Sequence, residues 1–119
     1  NWIHKRYVKI FEDEVHEEQL GTLPFPDFKE FIDEYEERKS KESIIAKNAD
    51  LLDQALLLRE YEWQGNKEAK EWLRGKGGDP KNAHIHKLTL KRAKDLCKAI
   101  YTTSPTQWWE TLFTNKNRK

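Results

Sequence analysis

Residues Ser40–Gly65 read SKESIIAKNADLLDQALLLREYEWQG, and the reading of this stretch decides the fold. Ile44, Ile45, Ala49, Leu51, Leu52, Ala55, Leu56 and Leu58 cover most of the circumference of a helix. Ser40 is its expected N-cap and Gly65 its stop. At 1.5 Å per residue a helix over Lys41–Gln64 runs for roughly 36 Å. Being apolar nearly all round, it is expected to be buried on most sides. Asp50 sits in its middle, on a narrow polar stripe with Lys47 and Asp53. A carboxylate in such a water-poor setting is costly unless it pairs with a cation, either a lysine or arginine or a metal.

Working outward, Phe28, Phe31, Ile32 and Tyr35 form one apolar stripe on a helix that Asp27 is placed to cap and that reaches Lys39. Before it, Gly21–Pro26 breaks the chain with two prolines, and Glu12–Leu20 reads as a short acidic helix. Asn1–Phe11 is aromatic and basic, with ambiguous spacing. After Gly65, a short helix over Lys67–Leu73 turns Ala69, Trp72 and Leu73 inward, and Gly75–Pro80 is a loop. A longer helix over Thr89–Thr102 sets Leu90, Ala93, Leu96, Cys97 and Ile100 on one side. Ser104-Pro105 then restarts a short helix whose Trp108, Trp109, Leu112 and Phe113 pack at the end of the bundle. No segment has the period of a strand. The expected fold is all-α, a bundle of about five to six helices over 1–113, with a basic tail over 114–119.

Bulk properties agree with one small folded domain. The chain has 119 residues, 36% hydrophobic and 36% charged, yet carries 5 Trp, 5 Phe and 4 Tyr, too many aromatics for a disordered segment. A net charge of +1 gives no general affinity for nucleic acid. The charge is unevenly spread: Glu12–Glu42 holds 12 acids against 4 bases, and Arg74–Lys119 holds 11 bases against 3 acids. The two ends could face each other, the basic one could face phosphates, or both could be solvated surfaces. Cys97 is the single cysteine, so no internal disulfide can form, which fits a reducing compartment and a cytoplasmic location. The longest apolar run, Ala55–Leu58, is far too short for a membrane span.

The run Lys47-Asn48-Ala49-Asp50-Leu51-Leu52-Asp53-Gln54 resembles the final motif of the HD superfamily of metal-dependent phosphohydrolases, and more narrowly that of the helical hydrolases related to 5'-deoxynucleotidases. Arg59-Glu60-Tyr61-Glu62, Gly65, Ala69-Lys70-Glu71-Trp72-Leu73 and Trp108-Trp109 continue the pattern, as does the acidic Glu34-Tyr35-Glu36-Glu37-Arg38 upstream. The likeness spans about residues 5–113 and corresponds to the second half of the HD fold. It implies a divalent metal, Mn, Co, Ni, Fe or Mg, held by a first histidine, a His-Asp doublet and a distant aspartate, which Asp50 matches. It also implies a small phosphorylated substrate, a phosphomonoester such as a nucleoside monophosphate. Glu42, Lys47 and Asp53 would support the ligand or meet the substrate, with helix capping and solvation the alternative for Glu42 and Asp53, and Lys5 and Arg6 would contact phosphate or belong to a solvated basic patch.

The chain departs from that pattern in a minor way at Asn48, often acidic in such proteins, and in a larger way in its histidines. It has no His-Asp doublet; its histidines are His4, His16, His84 and His86. The first half of the domain is therefore expected on another polypeptide, or removed, consistent with a chain that opens on Asn1 and contains no methionine. The expected partner is that missing half or a second copy. The alternatives are a catalytically silent interaction module derived from the same fold, and an unrelated bundle in which Asp50 is merely ion-paired. His84-Ile85-His86 could offer two imidazoles on one side of an extended stretch, or be a surface loop. Cys97 is expected to be a buried small hydrophobe.

Overall fold

Periodicity translates directly into helices. The computed structural model describes residues 12–25 and 27–107. Among these, α1 is Glu12–Leu20, α2 is Phe28–Glu37, α3 is Lys41–Trp63, α4 is Lys67–Arg74 and α5 is Lys91–Thr102. Single 3-10 turns at Lys76–Gly78, Pro80–Asn82 and His84–Lys87 join α4 to α5, and no strand is present among the described residues. The fold is all-α. The expectations for Lys5 and Arg6, for Trp108, Trp109, Leu112 and Phe113, and for the tail over 114–119 lie outside the described residues. The chain divides into two compact units, Asn1–Ser43 and Ile44–Lys119.

In the first unit the apolar stripe of α2 exists but is not buried. Phe28 and Phe31 are exposed, Phe31 by 64%, and only Ile32 and Tyr35 are half-covered. Asp27 precedes α2 without capping it through its side chain. Its backbone is already helical, so its carboxylate cannot reach back to the first free N–H groups, and its C=O accepts from Phe31 N–H instead. Arg38 closes α2 in the left-handed conformation at φ 56°, its guanidinium 3.7 Å from the centre of the Tyr35 ring. Ser40 does cap α3, accepting from Ser43 N–H on its Oγ at 3.1 Å.

The second unit owns the core. Leu51 and Ala55 of α3, Leu73 of α4, Leu88, and Ala93 and Cys97 of α5 are buried together. Gly65, at φ 90°, ends the turn after α3, and Asn66 then caps α4 by accepting from Ala69 N–H at 3.0 Å. Three inward assignments fail. Trp72 and Leu96 are half or more exposed, and α3 is buried along one face only, leaving Ile45, Leu56 and Leu57 open. An all-round apolar helix needs walls on every side. Among the described residues of this unit, the segment 73–101 supplies one.

Candidate functional site

The buried face of α3 is anchored by two polar contacts. Asn48 is 4% exposed and uses nearly its whole hydrogen-bonding capacity. Its Nδ2 donates to Ile44 C=O at 2.8 Å and to Thr89 Oγ1 at 2.9 Å, while its Oδ1 accepts from Thr89 N–H at 3.0 Å and Leu90 N–H at 3.2 Å. One side chain thereby holds the start of α5 against the middle of α3. One turn further on, His84 Nε2 lies 2.7 Å from Leu51 C=O. A carbonyl only accepts, so Nε2 carries the proton and the imidazole is in that neutral tautomer. His84 is fully buried, and burial pushes its pKa below 6.5. The 84–86 stretch is a 3-10 turn that buries His84 and exposes His86, so the two imidazoles do not converge.

Farther along α3, Glu62 is nearly enclosed and joins two arginines. Arg59 Nη1 donates to it at 3.0 Å, and Arg74 donates through both Nε and Nη2, the latter at 3.0 Å. The Arg74 bonds hold the Glu62 carboxyl below the usual carboxylate range, against the opposing effect of burial. Arg74 Nη2 also donates to Tyr101 C=O at 3.1 Å. The Tyr101 hydroxyl donates to Leu73 C=O at 2.6 Å, and burial raises its pKa to about 12. These bonds tie α3, α4 and α5 together at the end away from Asp50. Nothing in the sequence separated Glu62 from its exposed acidic neighbours; its signal is the i, i+3 pairing with Arg59 and a phase that matches Asn48 and Ala55.

Asp50 points elsewhere. At about 100° per residue it lies roughly 130° around α3 from the Asn48–Leu51–Ala55 face. Its side chain is 43% exposed, which corrects the expectation of a water-poor setting. Lys47 Nζ donates to Asp50 Oδ2 at 2.9 Å, and Gln54 Nε2 stands 3.5 Å from both carboxylate oxygens. Farther along the same side of α3, Leu57 and Tyr61 are exposed, as is Ala46 one turn before Asp50. Asp53 and Glu42 are also exposed. Among the described residues no three His, Cys, Asp or Glu side chains are grouped to hold a metal. One half-open carboxylate beside an ammonium does not by itself fit a divalent ion, which needs several donors at once.

A family model described as HD domain matches residues 1–87, and the chain belongs to the HD domain family. The match takes in α1 to α4 and the 3-10 turns, and it stops before α5. No curated protein and no solved structure matches the chain. No helix among the described residues is long and apolar enough to cross a membrane.

Proposed function

We propose that this chain is the aspartate-bearing part of a divalent-metal phosphohydrolase acting on phosphomonoesters, with nucleoside monophosphates as the substrate class. The observation that carries this reading is Asp50 within Lys47-Asn48-Ala49-Asp50, on the open face of the longest helix of an HD domain chain. In it Asp50 supplies one oxygen ligand, and the histidine ligands come from a second polypeptide segment, either the rest of the domain or another copy. Beyond the polar Lys47, Asp53 and Gln54 that flank Asp50, exposed Ala46, Leu57 and Tyr61 leave apolar surface along the same side of α3, suited to that segment. The Lys47 pair is a weak obstacle. An ion pair this exposed is worth about 0–1 kcal/mol, whereas a completed metal site is worth on the order of 10 kcal/mol. Loss of Lys47 from Asp50 is therefore a small cost of assembly.

The Lys47–Asp50 pair is also the one observation that favours a second reading, a catalytically silent interaction module whose carboxylate is already neutralised. One experiment separates the two. The chain is produced together with its His-Asp-bearing counterpart, and metal content and release of phosphate from nucleoside monophosphates are measured, for Asp50 and for Asp50→Ala. The hydrolase reading expects both signals to vanish in the variant while helicity measured by circular dichroism is kept. Activity that survives Asp50→Ala rejects Asp50 as ligand, and a complex without metal or activity supports the silent module.

A further inference from the structure

The basic stretch of the second unit has no part in the reading above. Arg74–Lys98 holds 8 bases against 2 acids, all of them described residues. At physiological salt a charge acts over about 8 Å, so this local excess counts for more than the net +1 of the chain. Lys91, Lys94 and Lys98 stand on successive turns of α5, at the i, i+3 and i+7 spacing that sets side chains in one row. Lys91 and Lys98 are exposed, Lys94 is half-buried, and Asp95 is the one acid of α5. Among the described residues the ion pairs form elsewhere, and none reaches these three lysines. Like charges in a row repel one another, and a bound polyanion relieves that repulsion.

An aromatic platform adjoins the row. Trp72 is 50% exposed, and Lys87 Nζ stands 5.8 Å from the centre of its ring. Lys87 ends the last 3-10 turn and Lys91 opens α5, so their Cα atoms are at most about 14 Å apart. The surface also discriminates among polyanions. A protein interface needs an apolar centre, which this row lacks, since Leu96 lies about 170° round α5 from it. A lipid surface needs a helix with a free apolar face, whereas Ala93 and Cys97 of α5 are spent in the core. A duplex keeps its bases stacked on one another. A single strand offers them to an indole and is flexible enough to set its phosphates against ammonium groups about 5–6 Å apart.

We infer that α5 and the turn before it bind single-stranded nucleic acid, with Lys91, Lys94 and Lys98 on phosphates and Trp72, flanked by Lys87, under a base. The inference does not depend on Asp50 or on any metal.

The test titrates the full chain into a fluorescent oligothymidylate and follows anisotropy between about 50 and 200 mM salt. With four lysines on phosphates, log Kd should rise with log salt at a slope of about 2.8, each contact contributing about 0.7. Lys91→Gln, Lys94→Gln and Lys98→Gln together should cut that slope to about 0.7. Trp72→Leu should weaken binding at least about fivefold and leave the slope as it is. No binding at the lower salt, a slope that the triple variant keeps, or undiminished binding by Trp72→Leu overturns the inference. A duplex or polyglutamate bound as tightly as the single strand overturns it too, as does binding confined to vesicles of anionic lipid. Circular dichroism reports whether the triple variant folds. If it does not, Lys91→Gln with Lys98→Gln, both at exposed positions, decides by a slope of about 1.4.

Discussion

Asn48 carries more of this unit than its size suggests. Replacing it by alanine removes four hydrogen bonds at a buried position and leaves the Thr89 and Leu90 N–H groups without their acceptor. Donors left unsatisfied against a buried position cost up to about 1–3 kcal/mol each, less where water can reach them, so Asn48→Ala should lower unfolding stability by about 1–3 kcal/mol, read as a shift in the urea midpoint. His84 makes the same contact zone sensitive to pH. Its folded pKa lies below 6.5, so on acidification the unfolded chain takes up a proton before the folded one does. Stability contributed by neutral His84 is complete above 6.5 and declines as pH falls below it, down to the lowered folded value. Glu62 acts in a separate, more acidic window, because its stabilisation is present above 4.5 and lost as pH drops through its depressed pKa. Denaturation midpoints measured between pH 7.5 and 5.5 should fall for the native protein, and His84→Gln should remove that slope while leaving the Glu62 decline below 4.5.

At the scale of elements, the loop after α4 depends on one backbone conformation. Gly75 has φ 107° and donates its N–H to Glu71 C=O, ending α4. A Cβ on it would stand 1.8 Å from Asp79 C=O. Gly75→Ala should therefore cost more than about 2 kcal/mol and loosen the 3-10 turns, seen as faster amide exchange over 76–88 with α3 unaffected. That loop was legible from its Gly-Lys-Gly-Gly-Asp-Pro composition, and the helices were legible from apolar spacing and breakers. What spacing could not supply was which face of a helix meets a wall. Leu96, Trp72 and Phe31 belong to apolar stripes in the sequence and Leu56 to an apolar run, yet all four are about half or more exposed. The motif made Asp50 visible. Its Lys47 partner, an i, i+3 neighbour on the same polar stripe, was among the alternatives left open, whereas its openness depends on what covers that side of α3 and not on any residue along it. His84 was misread for a related reason: alternation suggests an extended stretch, whereas a 3-10 turn rotates each side chain by about 120° and sends one imidazole inward.

For the whole molecule, the distribution of polar anchors matters more than net charge. One face of α3 is closed by α5 and the 84–88 turn, one end is tied by Glu62, and the Asp50 side is left with Ala46, Leu57 and Tyr61 uncovered. Such a surface next to the carboxylate proposed as a ligand favours association. Sedimentation of the chain should show a dimer, or a 1:1 complex once the histidine-bearing segment is supplied. A monodisperse monomer of 14.3 kDa that ignores that segment contradicts the partner proposal. The helix that closes the core, α5, lies beyond the residues matched to the HD domain, yet Ala93 and Cys97 from it fill the space against Leu51 and Ala55.

Asn48 and the Leu51 carbonyl grip α3 from behind, on either side of Asp50 in sequence but on the opposite wall of the helix. They act as a key in a shaft, fixing the rotation of α3 about its long axis. The compass bearing of the Asp50 carboxylate is consequently set from the far wall of the helix, by Thr89 and His84. A change at either should swing the carboxylate off line by turning the helix beneath it, and would masquerade as damage to the acid itself.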